Sequence, residues 1–97
     1  MNNASISLQV LPTVDEKKLF SAVDKVIQFI AESGVNYVVG PFETTMEGEL
    51  SQLMEIVQKA QVIACENGAD GIFSNVKIAY NPKGVYTIDQ KTSKYKK

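Results

Sequence analysis

From residue 5 the chain alternates, with Ser5, Ser7 and Gln9 on one side and Ile6, Leu8 and Val10 on the other. Period two with a single apolar row marks a strand half-buried against a core, and Pro12 is expected to end it. Thr13 and Glu16 stand at capping-box spacing, so a helix is expected to start there. Its stripe is Leu19, Val23, Val26, Ile27 and Ile30, with Lys17, Lys18, Asp24, Lys25 and Gln28 mostly away from it. Gly34 suits the left-handed position that follows a helix. Asn36–Val39 and Glu43–Glu47 read as short strands joined through Gly40-Pro41-Phe42. In the second, Thr44 and Met46 point one way and Glu43, Thr45 and Glu47 the other, with Met46 toward the core.

A second helix is expected from Gly48-Glu49. Leu50, Leu53, Met54, Val57, Ala60, Gln61 and Ala64 recur at helical spacing, Ile56 and Ile63 widen the stripe, and Gly68 closes it. Ile72–Tyr80 is a longer strand, and Asn81-Pro82-Lys83-Gly84 is a turn. Residues 85–95 admit two readings. Val85–Ile88 is a last strand, or Thr87 and Gln90 form a second capping box opening a short helix that reaches Tyr95. The helical reading is preferred.

The order β-α-β-β-α-β with right-handed crossovers predicts an α+β fold, the ferredoxin-like split βαβ sandwich. It comprises one domain over residues 1–97, a four-stranded antiparallel sheet with two helices on one face, and a short C-terminal extension. The uncovered face would carry Ser5, Ser7, Gln9, Thr45 and Glu47. Self-association is the expected use of that face, because a two-fold axis makes one patch complementary to itself. In a chain of 97 residues a deep internal cavity is not expected, so a pocket forms more easily between subunits.

Ten basic and eleven acidic side chains give a net charge of −1, which offers no overall field for nucleic acid. Lys91, Lys94, Lys96 and Lys97 read as a solvated tail. Cys65, the single cysteine, reads as a small buried hydrophobe. The chain has no histidine, which removes Ser/His triads and the usual zinc sites. No phosphate-cradling glycine loop is present. No signal peptide or run of about 20 apolar residues is seen, so no membrane span is expected and a cytoplasmic location is the default. Glu43 and Glu47 are candidate acids or bases, but no activated nucleophile or metal cluster accompanies them. Catalysis through Glu47 on a flat ring stays an open but unsupported reading, and neither a catalytic residue nor a metal ligand is assigned.

The segments L-Q-V-L-P, Y-V-V-G-P-F-E-T-T-M-E-G-E and K-I-A-Y-N-P-K-G-V-Y-T-I-D-Q-K-T-S-K-Y together resemble the small thiamine-binding protein family over nearly the whole chain. The most specific part is the Thr-x-x-Glu-Gly unit of Thr44, Glu47 and Gly48, a short gap after Tyr37. The resemblance implies a ferredoxin-like subunit and dimers or tetramers built through the sheets. It also implies non-catalytic binding of thiamine or its pyrimidine part, with no further cofactor. Thr44, Glu47 and Gly48 carry over from the motif. On chemical grounds Thr44, Thr45 and Ser7 would meet ring nitrogens or the hydroxyethyl group, Glu47 the charge or exocyclic amine, and Phe42 or Tyr37 would stack. Many members carry a basic residue early in the last strand, where this chain has Gly71 to Asn75, and arginine is absent. An anionic pocket for unphosphorylated thiamine, closed by a sister subunit, is therefore expected. Its use would be salvage, delivery or sensing. The alternative is a structural or regulatory homo-oligomer with no small-molecule ligand.

Overall fold

A computed structural model describes residues 2–95. The elements are β1 (Ala4–Thr13), α1 (Glu16–Glu32), β2 (Asn36–Val39), β3 (Thr44–Gly48), α2 (Leu50–Glu66), β4 (Gly71–Tyr80) and α3 (Ile88–Thr92), with a final 3₁₀ turn over Ser93–Tyr95. The strands form one antiparallel sheet in the order β2-β3-β1-β4, and α1 and α2 cover one of its faces. This is the α+β, βαββαβ ferredoxin-like sandwich expected from the pattern.

The alternation along β1 decides which residues meet the helices. Ala4, Ile6 and Leu8 are buried with Met46 of β3 against Val26 and Ile30 of α1 and Leu53, Ile56, Ala60 and Ala64 of α2. Gly34 and Gly68 each follow a helix at positive φ, 86° and 108°, a conformation glycine adopts without a Cβ penalty. Met54, assigned to the apolar stripe of α2, is exposed. So is Cys65, which corrects its reading as a buried residue. It follows Ala64, which faces the core, and one helical step of about 100° turns it outward.

Two boundaries differ from expectation for one reason. Pro12 lies inside β1, paired with Ile72, and Thr13 pairs with Gly71. Beyond Leu8, β1 pairs only with β4, since the ladder with β3 ends at Leu8–Thr44. A strand segment with one free side tolerates a residue that lacks an N–H. Pairing also holds Thr13 extended, its carbonyl accepting from Asp70 N at 2.8 Å. Asp15 therefore becomes the N-cap of α1 and makes no side-chain cap bond. The Thr13–Glu16 box does not form.

At the other end the helical reading is observed. Thr87 Oγ1 accepts from Gln90 N at 3.0 Å and Gln90 Oε1 accepts from Thr87 N at 2.7 Å, the complete capping box. The segment before it is tied to the start of β1, Asn81 N donating to Asn3 O at 2.9 Å and Val85 N to Asn2 O at 3.0 Å. Lys96 and Lys97, read as part of a solvated tail, lie outside the described residues.

Candidate functional site

In antiparallel pairing, residues directly opposite share a face. The face away from α1 and α2 therefore carries Asn36 from β2, Thr45 and Glu47 from β3, Ser5, Ser7 and Gln9 from β1, and Asn75, Lys77 and Ala79 from β4. The polar row expected from β1 is there. The face is not open along its whole length, because the segment after β4 turns back so that α3 meets it at Glu47.

Glu47 is only 6% exposed. One carboxylate oxygen accepts from Asn36 Nδ2 and the other from Ile88 N, the latter at 2.7 Å. A carboxylate at the first N–H groups of a helix satisfies a donor that the helix itself leaves unpaired. Nearby, Ser5 Oγ donates to Met46 O at 3.2 Å, and the Ser7 and Thr45 hydroxyls share a bond of 3.3 Å. Gln9 Oε1 accepts from Asn75 Nδ2 at 2.9 Å, and Lys77 pairs with Glu43 at 3.3 Å.

Between this row and α3 runs a groove of about 230 Å³ whose walls include Ser5, Ser7, Thr45, Lys77, Ala79 and Lys91. A second recess, of about 390 Å³, lies past the end of β4, between Ala79, Asn81, Val85, Tyr86, Gln90 and Lys91. The two share Ala79 and Lys91 as walls. The result is an extended surface site with hydroxyls and a lysine on the sheet, a second lysine on α3 and an exposed tyrosine ring beyond.

The candidate residues do not converge on one point. Thr44 and Glu47 are three apart on a strand and so face opposite sides. Thr44 pairs with Leu8 on the helix-covered face and Glu47 with Ser5 on the other. Tyr37, opposite Met46, and Gly48, opposite Ala4, also belong to the helix-covered side. Gly48 packs near α2, where a Cβ would stand 3.5 Å from Leu53, ordinary contact. Phe42 is 79% exposed in the β2–β3 connection. It helps line a small cleft of about 130 Å³ with Val26, Ile30 and Thr44. Ser7, Thr45 and Glu47 are thus the members brought together on the groove side. Sequence reasoning missed Lys77, Lys91 and Tyr86. Lys77 had a signal, because alternation along Phe73, Asn75, Lys77 and Ala79 puts it on the polar face. Lys91 had none, since its approach depends on where the terminal helix lands.

The chain resembles known proteins over almost its full length. The family model described as thiamine-binding protein matches residues 6–96. A UPF0045 protein of Clostridium perfringens is 49% identical over 96 residues, covering 99% of this chain and 100% of that one. The solved structure of a DUF77 domain of unknown function from Bacillus cereus superposes with a TM-score of 0.89 at 40% identity, covering 98% of this chain and 91% of that one. A candidate thiamine biosynthesis/salvage protein from Thermotoga maritima superposes with a TM-score of 0.87 at 32% identity, covering 97% and 99%.

Proposed function

The chain belongs to the thiamine-binding protein family, and on that premise we propose that residues 1–97 form one domain that binds thiamine or its pyrimidine part without chemically changing it. The observation that carries this reading is the groove between the polar sheet row and α3, where Ser7 and Thr45 present fixed hydroxyls beside Glu47. Those hydroxyls meet ring nitrogens and the exocyclic amine. Tyr86 and Val85 supply a flat apolar wall in the adjoining recess, and the buried charge of Glu47 contributes negative potential for the thiazolium. Both Glu47 oxygens already accept hydrogen bonds within the chain. This supports an electrostatic role over acid–base work, since proton transfer there would disturb the anchor of α3.

A second copy completes the site. Micromolar binding needs about 8 kcal/mol, and a shallow groove on one protomer encloses too little ligand for that. Strand β4 invites the partner. It spans ten residues and, among the described residues, is paired on one side only, and Val76, Ile78 and Tyr80 along it are 38%, 50% and 52% exposed. A long apolar edge of this kind attracts another strand, and a two-fold axis through β4 would pair it with itself. Lys77 and Ala79 of the same strand line the groove, so a copy docked there sits at the ligand's side. A cytoplasmic homodimer or homotetramer serving salvage, delivery or sensing fits this arrangement.

The bare β4 edge equally favours a structural homo-oligomer with no ligand. Titration calorimetry with thiamine separates the two. The binding reading expects saturable heat at micromolar to submicromolar concentration, weakened at least tenfold by Thr45→Val with assembly intact. Absence of heat and of thermal shift at millimolar thiamine would leave the structural reading.

A further inference from the structure

The groove is more basic than a niche for a bare cation requires. Lys77 from β4 and Lys91 from α3 both line it, together with the hydroxyls of Ser5, Ser7 and Thr45. Among the described residues Lys91 makes no ion pair, and the sole partner of Lys77 is Glu43, at 3.3 Å across an exposed surface. Exposed pairs of that geometry contribute little and exchange readily for a better acceptor. Glu47, an acid of this row, has both oxygens bonded to Asn36 and Ile88 and, among the described residues, makes no ion pair with either lysine.

Two lysines and three hydroxyls lining one groove supply a donor set for a tetrahedral oxyanion. Lysine ammonium groups bind phosphate as point charges, without the planar fork that arginine supplies. We infer that Lys77 and Lys91 of the groove take the phosphate of a phosphomonoester, so that the preferred ligand is a phosphorylated form of the flat cation and not the free alcohol. This rests on the proposed binding function and deepens it. It reverses the expectation, drawn from the missing arginine and from Gly71–Asn75, that the site avoids phosphate. The charge of Glu47 attracts the cation and the two lysines attract the ester. Lys91 lies on a short helix anchored through Ile88, so the anion would also draw α3 down on the ligand.

The test is calorimetry on the full chain with thiamine and thiamine monophosphate, at low and high salt, repeated on Lys77→Gln, Lys91→Gln and the double variant. The monophosphate is expected to bind about tenfold or more tightly than thiamine at low salt, from charge-assisted bonds to two lysines. The ratio should shrink as salt screens it and approach one in the double variant. Inorganic phosphate should compete with the monophosphate. Equal wild-type affinities, or a preference that survives the double variant, overturn this inference and leave thiamine binding standing. Failure of both ligands to bind the wild-type chain removes the binding function and the inference together.

Discussion

Replacing Glu47 by glutamine keeps the side chain's size and removes its charge, and the structure says where the loss appears. The carboxylate holds two donors, Asn36 Nδ2 and Ile88 N. A glutamine oxygen can still accept from Ile88, and Asn36, which is exposed, can rotate its amide to accept from the new NH₂ group. Both bonds therefore survive as neutral ones. A hydrogen bond to a charged partner contributes about 1.5–3 kcal/mol and a neutral one about 0.5–1.5, so about 1 kcal/mol is lost per bond and about 2 in all. The loss is local. Helix α3 has five residues and no buried side chain, too short to persist alone, whereas the sheet keeps its core. Amide hydrogen exchange at Ile88 and Gln90 is the assay, since it reads opening residue by residue. Of the two, only the Ile88 bond ties α3 to the sheet, and its share of about 1 kcal/mol is about a 5-fold faster exchange at those amides, with Ile6, Leu8 and Met46 little changed. Unchanged protection at Ile88, or an equal loss across β1 and β3, would refute the claim that Glu47 is the anchor of the terminal helix.

Other outcomes follow from burial and from the sheet edge. Met46→Ala, at a side chain with 0% exposure between β1 and the helices, should cost about 2–5 kcal/mol, read as a lower denaturant midpoint with an unchanged slope. Val76→Lys places a charge on the apolar row of β4. It should shift sedimentation toward the monomer while far-UV dichroism is retained, and an unchanged mass would clear β4 of the interface.

Most of the architecture was readable because it depends on short-range physics. The period-two row of β1, the stripes of α1 and α2 and the glycines after each helix are local patterns, and the central residues they imply, Ile6, Leu8, Val26, Ile30, Leu53, Ala60 and Ala64, are in the observed core, although Met54 of the α2 stripe is exposed. The Thr87–Gln90 box was legible for the same reason, since all its atoms lie within four residues. The Thr13–Glu16 box had the same spacing and did not form, because pairing of Thr13 with Gly71 outcompeted it. Pro12 was misread because a strand's tolerance for proline depends on how many neighbours it has, which no single segment reveals.

The candidate site divides along the same line. Alternation alone put Thr45 and Glu47 on the face opposite Met46, and that is where they lie. The same alternation separates Thr44 from Glu47, so a compact motif in sequence becomes two faces of a sheet in space. The chain by itself determined the elements, their apolar faces and the polar row of β1, since each follows from backbone geometry repeating every 2 or 3.6 residues. Only the tertiary structure decided that the last helix meets that row, that it buries Glu47 against Ile88 and that Lys91 joins Lys77 in lining one groove. Those contacts join residues some 14 to 86 positions apart, and what brings them together is the path of the chain after β4, not any local preference.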